Sequence, residues 1–281
     1  MSHVAIVTDS ASDLPPDVAA RQGIIVVPLV VSFGADSFRP GVTMTTDEFW
    51  VRMTAPDAPF PTTAAAAPGD FLGEFQRAFD RGADAVICVN VSGSLSGTLK
   101  AAQVAAGMLP DREIHVIDSR TASMGVGMLA QIGADLAAEG VSAAEIARVL
   151  EERKADVDLY VGLDTLEYLK RGGRISGARA AVGTMLSIKP IITVVDGVVE
   201  NADRVRSRAK ARERVLELLT EKPLERASIL HTTNADVEEF RDRFLERSGL
   251  DPSRVQTMLV GPSVGPHLGP GCVGAVVMRR H

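Results

Sequence analysis

Cysteine and aromatic side chains are scarce in this 281-residue chain, which has two cysteines and 4% aromatic residues. Cys88 and Cys272 each lie in an apolar, strand-like run, so we expect two reduced core cysteines rather than a disulfide. No Cys/His spacing suits a zinc site, and we predict neither a metal nor a cofactor. With so few aromatics the core must be aliphatic, and any cavity inside it would have aliphatic walls.

Long apolar runs and an excess of positive charge are also missing. No apolar run approaches the roughly 20 residues that span a membrane, and residues 4–7 form a strand pattern with no signal peptide before it. The formal net charge of −6 argues against a general nucleic-acid binder. We therefore expect a cytoplasmic protein that binds no nucleic acid. Neither a Gly-x-x-x-x-Gly-Lys-Ser/Thr loop nor a Gly-x-Gly-x-x-Gly turn after a strand occurs, so we expect no ATP chemistry by this chain alone.

Strand and helix patterns alternate through the first 155 residues. This alternation predicts an N-terminal α/β domain, residues 1–155, with a mostly parallel, Rossmann-like sheet covered on both faces. The pattern then changes, and Asp196-Gly197 between two β-runs indicates a hairpin. We expect a second α/β domain, residues 156–281, with a mixed sheet and helices. More local predictions are one strand over 24–31, a helix over 46–53 capped by Thr46 or Asp47, and an irregular loop over 59–68.

The most informative segment is a hydroxyl-rich loop at residues 92–98. An apolar run at 85–89 stops in Ser-Gly-Ser-Leu-Ser-Gly-Thr, and a helical pattern starts at Leu99. Helix N-terminal N–H groups, glycines and hydroxyls together suit an anion. Because Lys100 is the first basic residue of this segment, we expect a carboxylate or phosphate bound mainly by neutral donors.

Polar clusters follow three predicted strands: Thr8-Asp9-Ser10, residues 92–98, and Asp118-Ser119. The carboxyl ends of parallel strands meet at one edge of a sheet, where ligands bind in such folds. We therefore expect the clusters to converge on one crevice. Each cluster could instead be a helix cap or a turn, since Ser, Thr and Asp favour those positions.

Six segments resemble signature segments of the DegV family. They occur in family order over essentially the whole chain: Thr8-Asp-Ser-Ala-Ser-Asp-Leu14, Ser94-Leu-Ser-Gly-Thr98, Asp118-Ser-Arg-Thr-Ala-Ser-Met-Gly125, Leu166-Glu-Tyr-Leu-Lys-Arg-Gly-Gly-Arg-Ile-Ser176, Ile188-Lys-Pro-Ile-Ile192 and Gly265-Pro-His-Leu-Gly-Pro-Gly271. The family's proteins are bacterial fatty-acid-binding carriers. Some are the acyl-binding subunit of fatty acid kinase. The resemblance implies the EDD fold, two α/β domains with a long-chain fatty acid between them. It also implies a non-enzymatic chain that presents the lipid to a separate kinase subunit, which makes an acyl-phosphate for phospholipid synthesis.

The resemblance implies three carboxylate-binding residues, Thr63, Ser96 and His267. The family's Thr-Ser-Gln-Pro loop is Thr63-Ala-Ala-Ala here. The Thr is present, but the Ser, Gln and Pro that follow it in the family are replaced by Ala. Gly97, beside Ser96, is included in the predicted carboxylate site. A supporting polar cluster is predicted from the strand-end loops: Asp9, Ser10, Ser92, Thr98 and Ser119.

An acyl chain needs a dry tunnel beyond this polar end. The aliphatic composition and the adaptable methionines suggest a lining that includes Val30, Phe33, Met124, Met128, Met185, Leu186 and Ile188. Plain core packing is the alternative for each of them. Burial of an acyl chain would contribute about 0.8 kcal/mol per methylene before entropic costs.

Two basic segments stand out in an acidic protein. Lys170-Arg-Gly-Gly-Arg174 could cradle a phosphate or contact the kinase through Arg171 and Arg174, or be a solvated helix end. A second run alternates through residues 204–214 and includes Arg206 and Arg208. It would either dock an acidic kinase patch, touch an anionic membrane surface transiently, or form a solvated face.

Two other classes of function remain open. In a Ser-dependent hydrolase, Ser96 would be the nucleophile, His267 its base and Asp9 or Asp118 the orienting acid. Ser96 does not lie in a Gly-x-Ser-x-Gly elbow, however. A sugar-phosphate-binding or isomerase-like domain would also use Ser/Thr/Gly loops at strand ends. A co-purified long-chain fatty acid would distinguish the lipid hypothesis from both.

Overall fold

The computed structural model describes residues 3–175, 188–233 and 236–280. Its strands are β1 (Val4–Asp9), β2 (Ile25–Val27), β3 (Val30–Phe33), β4 (Asp36–Phe38), β5 (Thr62–Ala64), β6 (Ala85–Asn90), β7 (Glu113–Asp118), β8 (Val157–Gly162), β9 (Lys189–Val195), β10 (Val198–Val205), β11 (Leu224–His231), β12 (Val255–Leu259) and β13 (Val273–Arg279). Its α-helices are α1 (Pro16–Gln22), α2 (Thr46–Met53), α3 (Pro68–Asp80), α4 (Thr98–Gly107), α5 (Met124–Ala138), α6 (Ala143–Arg153), α7 (Glu167–Arg171), α8 (Arg208–Leu219), α9 (Val237–Ser248) and α10 (Gly265–Leu268).

Two main sheets divide the chain between them. The first half forms a parallel sheet in the order β2-β1-β6-β7. The second half forms a mixed sheet in the order β10-β9-β8-β13-β11-β12, in which only β11 and β12 pair in parallel. The predicted α/β class, with one parallel and one mixed sheet, is confirmed. The boundary between residues 155 and 156 stays a prediction, although it falls between β7 and β8.

Helix α5 lies between the two sheets. It packs on β1 and β6 of the parallel sheet and reaches β8 and β13 of the mixed sheet. Its sequence is almost entirely Ala, Gly, Met, Val, Leu and Ile, and eleven consecutive residues from Met124 to Ala134 are buried. A helix that is apolar on every side can exist only where it is covered on every side. This helix therefore joins the two halves through one continuous aliphatic core.

Three local predictions are corrected by the structure. The single strand expected over 24–31 is two strands, β2 and β3, which belong to different sheets. Pro28 lies between them and has no N–H to continue the hydrogen bonding of β2. Helix α2 is capped by Thr45, whose side chain accepts from the N–H of Glu48, rather than by Thr46 or Asp47. The expected irregular loop contains β5, which pairs with β3 in a small antiparallel sheet of order β4-β3-β5.

The hairpin predicted at Asp196-Gly197 is confirmed and joins β9 to β10. Both turn residues have positive φ, 48° for Asp196 and 80° for Gly197, as a two-residue hairpin turn requires. The tip crosses to the other half of the chain, where the hydroxyl of Ser92 donates to the carbonyl of Gly197 at 2.8 Å. The hairpin thereby closes one side of the space between the sheets.

Candidate functional site

A largely apolar cavity lies between the two sheets. About 740 Å³ of non-atom space lies in and around it, a figure that includes space open to solvent. Its apolar wall comes from both halves of the chain: Ala11, Leu29, Val91, Leu95, Ala122, Leu159, Val161, Leu169, Ile192, Val194, Val199, Leu230, Val264 and Leu268. Its polar residues are few: Thr63, Ser96, Ser123, Arg174, Ser263 and His267. A cavity of this composition suits a ligand with a long apolar body and a small polar end.

Thr63, Ser96 and His267 come from three separate elements and all border this cavity. Thr63 lies on β5, Ser96 just before α4 and His267 on α10. The hydroxyl of Thr63 is 3.0 Å from Nε2 of His267, although 204 residues separate them in the chain. The Ser96 hydroxyl is 2.8 Å from that of Thr98. The three predicted carboxylate ligands thus share one cavity, and two of them are in direct contact.

His267 is held as a neutral imidazole. Burial, and then the positive charge of Arg174, lower its pKa to about 4. The Nδ1 atom is buried and has no hydrogen-bond partner among the described residues. The ring also lies against Gly172, where an added Cβ would sit only 2.2 Å from Nδ1. A neutral imidazole can donate one N–H to a carboxylate, which suits a site built from neutral donors.

Arg174 borders the same cavity. Its Nε donates to the carbonyl of Leu95 at 3.0 Å and its Nη1 to that of Gly172 at 2.7 Å. The guanidinium therefore ties the hydroxyl loop to the α7 segment and brings a positive charge beside the neutral donors. The sequence predicts a contact of Arg174 with a phosphate or a partner protein. The structure adds that Arg174 is part of the cavity wall.

A polar depression adjoins the cavity at Leu95, Ser96 and Arg174. It is lined by residues 93–97, Gly173 and Arg174. Gly97 lines this depression beside Ser96, and its predicted contact with the carboxylate stays a prediction.

The predicted supporting cluster braces the site and does not line it. Asp9 is fully buried, and its carboxylate accepts from the N–H groups of Ala11 and Val91, both at 2.9 Å, and from the Asn90 amide at 3.1 Å. Burial raises the pKa of Asp9 to about 6, against these three hydrogen bonds. Asp9 thus holds the end of β1 to the loop after β6.

The four hydroxyl residues of that cluster also bond within the protein. Ser92 donates to Gly197, and Ser119 to the carbonyl of Thr121 at 3.4 Å. Ser10 and Thr98 instead contact hydroxyls of the cavity wall, Ser10 with Ser263 and Thr98 with Ser96, both at 2.8 Å. Short hydroxyl side chains at strand ends find such local partners easily. None of the four is among the cavity's lining residues, and their supporting role in ligand binding stays a prediction.

The predicted tunnel residues are also corrected. Val30, Phe33, Met124, Met128 and Ile188 do not border the cavity, and Met185 and Leu186 lie outside the described residues. Phe33 packs instead in a separate cluster with Phe49, while the two methionines are core residues of α5. Leu29, next to Val30, is a lining residue. The wall is built mainly from Val, Leu and Ile side chains, which lie on β8 to β11 and in the loops and short helices beside them.

The basic residues have different surroundings. Arg171 is exposed and stacks over Phe60, with 4.0 Å from Cζ to the ring centroid. Arg206 is exposed and makes no ion pair within the described ranges. Arg208 pairs with Asp164 at 2.5 Å while about half of its side chain stays exposed, and its contact with a partner stays a prediction. Farther along the run, Arg212 and Arg214 are paired as well.

Other chemistry finds little support in the part of the chain that the structure describes. No cluster of three or more His, Cys, Asp or Glu side chains there could hold a metal ion. Cys88 and Cys272 are buried thiols with no disulfide between them, as expected. No described helix has both the length and the apolar character needed to cross a membrane.

Comparison with known proteins identifies the family. The sequence profile of the family described as "Uncharacterised protein, DegV family" matches residues 3–280. The chain belongs to the DegV family. A DegV domain-containing protein of Caldanaerobacter subterraneus subsp. tengcongensis is 34% identical over 280 residues, 98% of each chain.

Solved DegV structures share the whole fold. A DegV family protein from Thermus thermophilus, described by its fatty acid binding, has a TM-score of 0.91 and 36% identity, covering 99% of this chain and all of the other. DegV of Bacillus subtilis, described as a fatty acid binding protein, has a TM-score of 0.87 and 30% identity over the full length of both chains. The two halves and their sheets are thus arranged as in experimentally determined DegV proteins.

Proposed function

We propose that this protein binds one long-chain fatty acid in the cavity between its sheets. The observation that carries the proposal is the cavity's composition: among the described residues, fourteen apolar side chains line it, with Thr63, Ser96, His267 and Arg174 among the few polar ones. The fatty acid binding described for the DegV proteins of Thermus thermophilus and Bacillus subtilis supports the same ligand class. A sugar phosphate fits this wall poorly, because its hydroxyls would face aliphatic side chains without hydrogen-bond partners.

The carboxylate is held by the hydroxyls of Thr63 and Ser96 and by the imidazole of His267. Thr63 and His267 are already 3.0 Å apart, so both can donate to one carboxylate without a large rearrangement. Each hydrogen bond to a charged group contributes about 1.5–3 kcal/mol. Arg174 adds a favourable positive charge nearby while its Nε and Nη1 donate to two backbone carbonyls.

The protein acts as a carrier and catalyses no reaction alone. The hydrolase alternative needs a Ser96–His267 pair, whereas the Ser96 hydroxyl contacts Thr98 and His267 contacts Thr63. The orienting acids are engaged elsewhere, Asp9 with backbone N–H groups and Asp118 with those of Gly93 and Arg120. This arrangement favours binding over nucleophilic catalysis.

A separate kinase subunit would phosphorylate the bound carboxylate at the polar depression beside the cavity. Ser96 and Arg174 border both spaces, so this depression is a route by which a phosphoryl donor could approach the carboxylate. Docking would use the exposed cations around the start of α8, Arg206 and Lys210, rather than Arg208. The same cations could give a transient contact with an anionic membrane surface.

Ligand identity is tested by extracting the protein after expression in bacteria. We expect about one long-chain fatty acid per chain by native mass spectrometry and by analysis of the organic extract. In titrations with palmitate, Thr63→Ala with Ser96→Ala should lose about a hundredfold in affinity or more, since two hydrogen bonds of about 1.5–3 kcal/mol each are removed. Thr62→Ala is the matched control, because neighbouring residues of a strand face opposite sides and Thr62 is exposed.

Absence of a co-purified fatty acid, together with no measurable binding of added palmitate or oleate, would contradict the proposal.

The kinase step is tested with the purified catalytic subunit of a bacterial fatty acid kinase and ATP. We expect Arg206→Glu with Lys210→Glu to keep palmitate binding and lose acyl-phosphate formation, with the deficit largest at low salt. Arg81→Glu with Lys222→Glu makes the same charge change at exposed positions elsewhere. Equal turnover in both variants would move the docking site away from α8.

A further inference from the structure

Besides the contact of His267 with Thr63, three hydrogen bonds attach the segment before His267 to the first half of the chain. Nε1 of Trp50 donates to the carbonyl of Val260 at 2.7 Å. The N–H of Gly261 donates to Oδ1 of Asp13 at 3.0 Å, and the hydroxyls of Ser10 and Ser263 are 2.8 Å apart. Four residues after Ser263, the chain reaches His267 in α10. The position of the imidazole therefore depends on contacts from another part of the sequence.

Asp13 is the one charged group among these three attachments. Its side chain is 9% exposed, and its backbone is in the left-handed region with φ of 51°. Oδ2 accepts from the hydroxyl of Ser123 at 2.6 Å, so the two carboxylate oxygens join α5 to the segment before α10. At Gly261 an added Cβ would lie 2.7 Å from Oδ1. A side chain at position 261 would therefore push this contact apart.

The surroundings of Asp13 contain no compensating cation. Asp13 borders a groove near α1 and α2. Among the described residues that line this groove, Asp47 is the other charged one, and none is Lys or Arg. Asp9 is the other carboxylate that acts on it. Burial raises the pKa of Asp13 to about 7, and the bonds from Ser123 and Gly261 oppose that shift. A buried charge without a cation is costly.

The hydroxyls of Ser123 and Ser263, on this side of the cavity, both form hydrogen bonds with protein groups outside the cavity. Ser123 and Ser263 border the cavity, yet Ser123 donates to Asp13 and Ser263 pairs with Ser10. This leaves Thr63, Ser96, His267 and Arg174 as the polar groups that face a carboxylate. Asp13 thus contacts the cavity wall in two ways, since it accepts from the lining residue Ser123 and from the N–H of Gly261 in the segment that carries His267.

We propose that Asp13 is a positioning residue of the lipid site, which holds His267 in place for the carboxylate through the N–H of Gly261. The proposal rests on the fatty-acid function proposed above. Asp13 does not touch the ligand, and it acts through the backbone of the segment from Val260 to His267.

The test compares an acid with an alcohol of the same chain length. Palmitate and hexadecan-1-ol are titrated by displacement of a neutral fluorescent lipid probe. We expect Asp13→Ala to weaken palmitate binding about tenfold and hexadecanol binding less than about twofold. Asp13→Asn should restore palmitate binding to within about threefold, because its Oδ1 can still accept from Gly261 and its Nδ2 can donate to Ser123.

A second variant disrupts the contact between Asp13 and Gly261 by a change at Gly261. Gly261→Ala keeps the carboxylate but places a methyl group against Oδ1, and we expect the same acid-selective loss. If Asp13→Ala does not fold, Gly261→Ala and Asp13→Asn decide the question. Equal losses for acid and alcohol in Gly261→Ala, or a loss in Asp13→Asn as large as that in Gly261→Ala, would overturn the positioning role. Wild-type protein that binds neither ligand would instead contradict the proposed function.

Discussion

Gly172 provides the space in which the His267 ring lies. An added Cβ would be 2.2 Å from Nδ1, and because Nε2 contacts Thr63, the ring could not move without breaking that contact. We expect Gly172→Ala to weaken palmitate binding about tenfold, ~1.4 kcal/mol, as measured by titration. Gly107→Ala is the control, because a Cβ there would meet no atom within 4 Å. Equal affinities of the two variants would show that the ring has room to shift.

The neutral state of His267 makes a testable contribution to stability. Its pKa is lowered from 6.5 to about 4 in the folded protein, so between these values the unfolded chain binds a proton that the native chain does not. Stability relative to His267→Gln should therefore rise with pH from about 4 to 6.5, by roughly 3 kcal/mol at most, and stay constant above that. Urea unfolding of both proteins across this range measures the difference. A difference that does not change with pH would show that His267 titrates normally.

The hairpin of β9 and β10 closes one side of the cavity, to which it contributes Val194 and Val199. Its tip is fixed on Ser92, and at Gly197 an added Cβ would lie 2.4 Å from the Ser92 hydroxyl oxygen. We expect Gly197→Ala to release the tip and speed fatty acid dissociation about tenfold, measured by transfer of lipid to acceptor vesicles. Some loss of stability accompanies it, since positive φ costs a non-glycine residue roughly 1–2 kcal/mol.

Gly23→Ala is the matched control for this element. Gly23 also has positive φ, 65°, but a Cβ there meets no atom within 4 Å, and it ends α1 away from the cavity. It should lose similar stability and keep the wild-type dissociation rate. If both variants release lipid at the same rate, the hairpin tip does not control the cavity.

One ligand in contact with both halves should stabilise the molecule as a unit. The cavity wall includes Leu29 and Val91 from the first half and Leu159 and Leu230 from the second. At a free palmitate concentration of 100 Kd, binding stabilises the native state by about 2.7 kcal/mol. We expect a rise in Tm of roughly 5–10 °C, in a single calorimetric transition. A shift confined to one of two transitions would place the ligand within one half.

Local physical chemistry accounts for what could be predicted from the residues alone. The alternation of strands and helices, the turn at Asp196-Gly197 and the polar loops at strand ends depend on neighbours within a few residues, so the sequence determined them. Thr63, Ser96 and His267 could be named because they lie in segments that resemble those of a known family. Their common location in one cavity agrees with that prediction.

The identity of the cavity wall was decided only by the tertiary structure. Leu29 borders the cavity and Val30 does not, although both are apolar neighbours, because Pro28 ends one strand and the next belongs to a different sheet. Asp13 contacts Gly261, 248 residues away, and Arg208 pairs with Asp164, 44 residues away. Such contacts depend on how two sheets pack across α5. That packing is a property of the whole chain and leaves no periodic or local signal in the sequence.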